Sequence, residues 1–494
     1  MAGVGKRFKL AGYDTYKPFI KINGKYMIDY VLDAFPKYVK KHVVTCENLI
    51  SKTQKKHLRS KNCNIIYVER HTKGPSYSIY LAKDKLPLEE SFFISYADIA
   101  WKWNWKKIIS LLKEDGIVFV NRGFHPHLIK NNYSAFCKKS LSNKLIKIKE
   151  KGSFTNNHLE EDLSIGVFYV KSGYNMISAL NRQISKNLKT NNEFFPSLIF
   201  NELTKDKRSI SLEKVDAFIH WGVPEQLHDF LNWQNKIKHL SKKILFKKKF
   251  DTVITMAGSG SRMEGLSEKP KALIKVNKLA MYQYVCKFFP VKKKYIIISN
   301  SIKNQIKNFN QNVFYTLAKK TKSQFETIKL SKNIFKGKKN FFLLSCDAFG
   351  LFNKKNFFKF VYSKKADVIV FTFSPSLTQS KFSNQHTHVA CKRDLIKKIF
   401  IKSKKTKNDL GLAGFFWVKC GDTFNSVVEK IDLSNFSREV LADDVIKKYI
   451  DIGYRVFNFP LDSYIHIGTK NELLELKYWL DNKNVFFNES IKKK

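Results

Sequence analysis

Two glycine-rich phrases in this chain carry residues able to hold a phosphate chain. Gly3-Val4-Gly5-Lys6-Arg7 and Gly258-Ser259-Gly260-Ser261-Arg262 each set two glycines ahead of an arginine. A glycine turn between a strand and a helix lets backbone N–H groups approach phosphate oxygens, and the helix start adds a favourable dipole. Alone such a phrase says little, because turns use glycine anyway. Here each glycine pair is followed ten or more residues later by a lysine beside proline, Lys17-Pro18 and Pro270-Lys271. Arginine offers a bidentate fork and lysine a compact point charge, which suits two separate tasks around a polyphosphate. Asp98 and Asp347 each close an apolar run, FFISYAD and FFLLSCD. A carboxylate at the C-terminal edge of a sheet can reach Mg²⁺, although an aspartate closing a strand also serves as a turn former.

These residues recur because the phrases around them recur. Lys17-Pro18-Phe19-Ile20-Lys21-Ile22-Asn23 aligns with Lys271-Ala272-Leu273-Ile274-Lys275-Val276-Asn277. HTKGPSYSIYL from His71 aligns with KTKSQFETIKL from Lys320, and SIGVFYVKSG from Ser164 with LAGFFWVKCG from Leu412. DAFIHWGVPEQL from Asp216 aligns with DSYIHIGTKNEL from Asp462. The offset drifts only from 255 to 246. Landmarks in one order at near-constant spacing predict a tandem duplication.

The elements that must position these residues are legible as short apolar runs. KKHVVTC, NIIYVER, SFFISYAD and DGIVFVNR in copy one, and KKYIIISN, NFFLLSCD and ADVIVFTF in copy two, suit strands buried on both faces. They alternate with helix-like segments. The expected fold is α/β, two tandem Rossmann-like domains with mostly parallel sheets. The boundaries read as 1–232 for the first domain, 233–249 for a lysine-rich linker, 250–483 for the second domain and 484–494 for a loosely attached tail. Copy two has FDTVIT ahead of its glycine phrase, whereas copy one has no counterpart before Met1. A start placed about six residues late is the preferred expectation, against a cloned fragment or a truncated domain filled by another segment.

Bulk composition narrows the class. A chain of 494 residues with 43% hydrophobic content can bury two to four cores. Seven scattered cysteines without a CxxC argue for a reducing compartment and against a disulfide scaffold or zinc site. With no membrane-length apolar run and no leader pattern, the expected location is the cytoplasm. The formal charge of +48 invites a nucleic-acid reading, but only ten of the ninety basic residues are arginine. Lysine dispersed among Asn, Ile and Phe points rather to compositional bias, with some attraction for phosphate-bearing substrates.

The combination M-A-G-x-G-x-R, a Lys beside Pro, and Asn-Gly-Lys resembles the signature of sugar-nucleotide nucleotidyltransferases. The likeness is greatest to the branch linked to capsular and surface polysaccharide synthesis, in which a phrase like GVPEQL (from Gly222) closes the domain. It covers nearly all of copy one and most of copy two. It implies a GT-A-like α/β fold and transfer of a nucleoside monophosphate from an NTP to a sugar-1-phosphate or similar acceptor, with Mg²⁺ and release of pyrophosphate. By resemblance, Arg7 and Arg262 hold the triphosphate, which the loops at Ala2, Gly3, Gly5, Ala257, Gly258 and Gly260 cradle. Lys17 and Lys271 stabilise the α-phosphoryl transition state, and Asp98 and Asp347 bind the metal. Lys73-Gly74 and Lys322 fall in the base-side loop. Glu150, Lys151, Gly166 and Glu193, with Gly414 and Glu439 in copy two, fall on the sugar side.

The pattern also departs from that family. Where many relatives place a second metal aspartate, two residues before the closing glycine, this chain has His220 and His466. Imidazole matches Mg²⁺ poorly, so Asp216 and Asp462, four residues earlier, stand as alternative carboxylates, with a structural role at a strand end an equal reading. Copy two lacks a counterpart of Glu150. Three rival readings stay open. A GT-A glycosyltransferase would usually carry an Asp-x-Asp pair, and a dinucleotide-dependent dehydrogenase a third glycine. A noncatalytic polyanion-binding protein would show steep salt dependence.

Overall fold

The computed structural model describes residues 1–494 except 2, 4, 130–133, 241–249, 259, 261–268, 277–278, 290, 307–311, 318, 382, 404–409 and 488–494. The chain divides into two compact units, Met1–Leu231 with Asn482–Lys494, and Asn232–Asp481. Among the described residues, no helix is long and apolar enough to cross a membrane.

The first unit is a mixed α/β fold. Its strands are β1 (Lys41–Thr45), β2 (Cys63–Tyr67), β3 (Phe92–Ser95), β4 (Ile99–Lys102), β5 (Gly116–Asn121), β6 (Phe136–Lys139), β7 (Leu145–Lys149), β8 (Asp162–Val170), β9 (Ile210–Lys214) and β10 (Ala217–His220). The six-stranded sheet runs β9-β5-β8-β6-β7, with β3 also on β8. Successive side chains of β5 serve opposite cores. Ile117 and Phe119 pack on the side of Val31, Leu58 and Ile108. Val118 and Val120 pack on the side of Met176, Leu180 and Phe200. A strand so enclosed has to be apolar at every position, which is why GIVFVN reads as a continuous run.

The second unit holds β11 (Phe250–Thr255), β12 (Val291–Ser299), β13 (Asn312–Leu317), β14 (Phe341–Ser345), β15 (Ala348–Leu351), β16 (Val368–Phe373), β17 (His388–Lys392), β18 (Leu395–Phe400), β19 (Leu410–Val418), β20 (Val456–Pro460) and β21 (Ser463–His466). Nine of them form one sheet, ordered β13-β12-β11-β14-β19-β16-β20-β18-β17. The expectation of mostly parallel sheets needs correction in both units. β8 runs antiparallel to β3, β5 and β6, and β19 antiparallel to β14, β16 and β17. A strand buried on both faces is apolar whichever way its neighbours run, so the pattern carries no direction.

Several pairings repeat between the units. β4 with β10 and β15 with β21 form two-stranded antiparallel pairs in which His220 faces Ile99 and His466 faces Ala348. They differ around β11, which lies parallel between β12 and β14. In the first unit β1 pairs with β2 and β3 with β8, and no described strand joins β1 to β3. The contrast shows in burial. Phe341, Phe342, Leu343 and Leu344 of β14 are fully buried, while all four residues of β3 remain partly exposed.

Two boundaries differ from the sequence reading. Helix α1 (Pro224–Leu240) continues through Trp233, so the segment expected to open the linker is helical up to Leu240. Its apolar positions explain this, since Trp233 and Ile237 are buried. The tail is also less loose than expected at its start. Phe486 and Phe487 are buried, and Phe487 packs on Phe230 with ring centroids 5.2 Å apart.

Candidate functional site

The lysine and aspartate singled out in each copy meet in each unit. Lys17 Nζ donates to Asp98 Oδ2 at 2.5 Å and to the carbonyl of Gly222 at 3.0 Å. Lys271 Nζ donates to Asp347 Oδ2 in the same manner. Both carboxylates stand just past the end of a strand, after β3 and after β14. Both lysines lie on a short 3₁₀ turn beside proline. Burial raises Asp98, but the Lys17 ammonium more than offsets it and holds the carboxyl below its usual value. Asp347 lies well below the usual range, because Lys271 and His466 together outweigh a similar burial penalty.

The glycine loops touch these lysines. Gly5 and Gly260 both take the left-handed backbone conformation, at φ 63° and 70°. A Cβ at Gly260 would lie 2.8 Å from Lys271 Cβ, and one at Gly5 would lie 3.5 Å from Lys17 Cβ. Glycine is thus required twice over at position 260, for its φ and for the lysine against it. Arg7 is exposed on the short helix Lys6–Leu10. Ala2 and Arg262 lie outside the described residues.

In the second unit the remaining candidates line one cleft of about 380 Å³. Ala257, Gly258, Gly260, Lys271, Lys322, Asp347, Gly414 and Glu439 all border it. Gly258 bridges to Thr321, which fixes the Lys322 loop beside the glycine loop. Lys402 pairs with Glu439 at 3.1 Å, so a lysine and a glutamate persist on the acceptor side although copy two lacks a match for Glu150.

In the first unit, Gly74 (φ 92°) packs its backbone against Phe194, next to Glu193, and Phe194 N donates to the Lys73 carbonyl at 2.8 Å. Glu150 accepts from Ser197 Oγ at 2.5 Å, and its burial raises its pKa. Lys151 lies over the Phe195 ring. Gly166 and Gly414 sit at the bulges of β8 and β19, with unlike neighbours. A Cβ at Gly166 would meet the Tyr96 ring at 2.2 Å, whereas one at Gly414 would come no nearer than 3.6 Å to Ser345 Oγ. The aromatic ring therefore fills space in the first unit that serine leaves to the cleft in the second.

Asp216 and Asp462 do not join either site. Each is exposed and precedes the strand whose far end carries the histidine. Four strand residues put them about 13 Å from the aspartate end. Their strand-opening position accounts for them.

Several site residues were not singled out from the sequence. His466 Nδ1 donates to Glu472 at 2.8 Å, and its Nε2 lies 3.6 Å from Asp347 Oδ2. Burial lowers the imidazole, but Glu472 and Asp347 reverse this and lift it to about 9. Glu472 in turn is held far below the usual carboxylate range. Asp443, also on the cleft, accepts from Thr387 Oγ1 at 2.5 Å, and burial raises it to about 6. Glu472 was visible as the glutamate of GTKNEL opposite Gln226 of GVPEQL, whereas nothing in the sequence marked Asp443.

With this geometry in place, comparison with known proteins adds a family likeness. Residues 1–154 match the family profile of the MobA-like NTP transferase domain. That stretch contains Gly5, Lys17, Lys73, Asp98 and Glu150. No curated protein matches the chain in sequence. Among solved structures, a nucleoside-diphosphate-sugar pyrophosphorylase from Vibrio cholerae RC9 is similar at 18% identity, covering 47% of this chain and 97% of its own, with a TM-score of 0.40. An inositol-1-phosphate CTP transferase from T. maritima aligns at 14% identity over 48% of this chain and 96% of its own, with a TM-score of 0.37. A UTP-bound UGPase from Acinetobacter baumannii aligns at 13% identity over 50% of this chain and all of its own, with a TM-score of 0.39.

Proposed function

We propose that this chain carries two tandem nucleotidyltransferase modules, each transferring a nucleoside monophosphate from an NTP to a sugar-1-phosphate or similar phosphate acceptor. The observation that carries the reading is the repeated contact of a left-handed glycine, a lysine and a strand-end aspartate, at Gly5, Lys17 and Asp98 and at Gly260, Lys271 and Asp347. The glycine loop binds the triphosphate through backbone amides. The lysine neutralises charge at the α-phosphorus as an acceptor phosphate oxygen attacks it and pyrophosphate leaves. Asp98 and Asp347 would hold Mg²⁺, which supplies further charge neutralisation when bound. One carboxylate with substrate phosphates is an ordinary Mg²⁺ donor set. On the acceptor side, Glu150 and Lys151, and Lys402 with Glu439, would meet sugar hydroxyls and the second phosphate. A role in nucleotide-sugar supply for surface polysaccharide, in the cytoplasm, is the setting this chemistry fits.

The test is a thermal-shift panel of ATP, CTP, GTP, UTP and dTTP with Mg²⁺, followed by pyrophosphate release with sugar-1-phosphates. Saturation at about a hundred times Kd adds roughly 2.7 kcal/mol to the binding unit, a rise of several degrees for a domain of this size. Asp98→Asn should weaken the response of the first unit and Asp347→Asn that of the second. A panel without any nucleotide response overturns the reading.

A further inference from the structure

The first unit gathers three imidazoles from two loops. His125 and His127 flank Pro126 in the 3₁₀ turn that follows β5, and His220 ends β10. The ring centroids stand 5.4 Å (His125–His127), 5.3 Å (His125–His220) and 5.4 Å (His127–His220) apart, a nearly equilateral triangle. One ligand nitrogen from each ring falls within 4.8 Å of the others. His125 and His127 are buried, at 0% and 1% exposure. We infer that this triad is a binding site for a first-row divalent transition-metal ion of the zinc or cobalt type.

Donor chemistry sets the class of ion. Three neutral nitrogens match Zn²⁺, Co²⁺ or Ni²⁺ and suit Mg²⁺ or Ca²⁺ poorly. Tetrahedral ligation at 2.0–2.1 Å requires nitrogens about 3.4 Å apart. The nitrogens lie within 4.8 Å of one another, so binding an ion draws them together. Two contacts engage acceptor nitrogens of the triad, and a bound ion would replace them or turn the rings over. His127 N donates to His125 Nδ1 at 3.2 Å, and Gln226 Nε2 lies 3.3 Å from His220 Nε2 as its donor. Asp229 is buried with Oδ2 3.4 Å from His127 Nε2, the place of the carboxylate that orients a metal-bound imidazole.

The second unit shows why this site belongs to the first. The counterpart of His220 is His466, and the counterpart of Gln226 is Glu472, which binds His466 directly. A carboxylate there favours imidazolium, which has no lone pair for a metal. In the first unit the uncharged Gln226 stands at that place, and two further histidines join His220. Three protein nitrogens keep a coordination position open, as in catalytic rather than closed structural sites.

The experiment uses the full chain without a histidine tag, stripped by chelator and titrated with Co²⁺ and then Zn²⁺. The expected result is one ion per chain with visible d–d bands of nitrogen-ligated Co²⁺, displaced by Zn²⁺. His127→Gln and His220→Gln should each weaken binding by a hundredfold or more, and Asp229→Asn by about tenfold. His466→Gln should leave it unchanged. Featureless Co²⁺ spectra in the wild-type chain overturn the inference, as does binding that survives His220→Gln but is lost in His466→Gln. Nucleotide response is read separately, so this site and the transferase reading fail or stand independently.

Discussion

Replacing Glu472 with glutamine would give the second unit the residue that stands at the equivalent place in the first. Glu472 is buried, and together with Asp347 it lifts His466 from 6.5 to about 9. At 1.36 kcal/mol per pKa unit, that shift corresponds to about 3 kcal/mol of stabilisation while the ring is protonated. Glu472 exerts the larger of the two pulls, so Glu472→Gln should remove about 1.5–3 kcal/mol. The loss is bounded because the ring can release its proton and the amide can still accept from Nδ1. The sign follows from both partners. A raised histidine pKa gives stability that is complete below about 6.5 and lost as pH climbs through about 9. A depressed glutamate gives stability that is present above its ordinary value near 4.5 and lost as pH falls. The gap between wild type and variant should therefore be widest between about pH 5 and 6.5 and should close toward pH 9. Calorimetric unfolding of the full chain at several pH values would show the second-unit transition lowered by about 3–10 °C at pH 6. Equal stability at pH 6, or a gap constant from pH 6 to 10, would refute the ion-paired imidazolium.

Three further outcomes test the sites. Gly260→Ala places a Cβ on Lys271 at a left-handed φ, so it should cost about 1–3 kcal/mol and abolish the nucleotide-induced shift of the second unit alone. Asp443→Asn should stabilise the second unit by about 2–3 kcal/mol at pH 8, because a buried carboxyl raised to about 6 must ionise there, and should give no gain at pH 4; thermal melts at both pH values decide it. Tyr96→Ser should open the space over Gly166, and equilibrium dialysis should then show stronger sugar-phosphate binding by the first unit than in wild type.

Most of what positions the sites was legible, since every apolar run named as a strand is one. Runs such as VIVFTF and FFLLS have to be continuous when both faces are covered, and that signal survives in a lysine-rich sequence. Strand direction was not legible, for the same reason. The lysine and the aspartate of each site were singled out from matched positions in two copies, which is information a single copy would not have held, but their direct contact was not foreseen. Asp216 and Asp462 were misplaced because nearness in sequence to the histidines became four residues of strand in space. The triad of His125, His127 and His220 escaped notice because ninety residues separate its halves, and only the packing of the turn after β5 on the end of β10 brings them together. Tyr96 likewise looked like one more strand aromatic until Gly166 was found beneath it.

The sheet of the first unit carries a consequence for the colloidal behaviour of the protein. β1 and β3 each have a flank with no described strand partner, and β3 keeps its aromatic residues partly exposed. Such flanks are templates for a strand from another molecule. What opposes that encounter is the charge of +48, whose repulsion reaches about 10 Å at 0.1 M salt and about 3 Å at 1 M. Solutions should therefore stay dispersed at low ionic strength and self-associate as salt is added, the reverse of the order seen when oppositely charged patches hold molecules together.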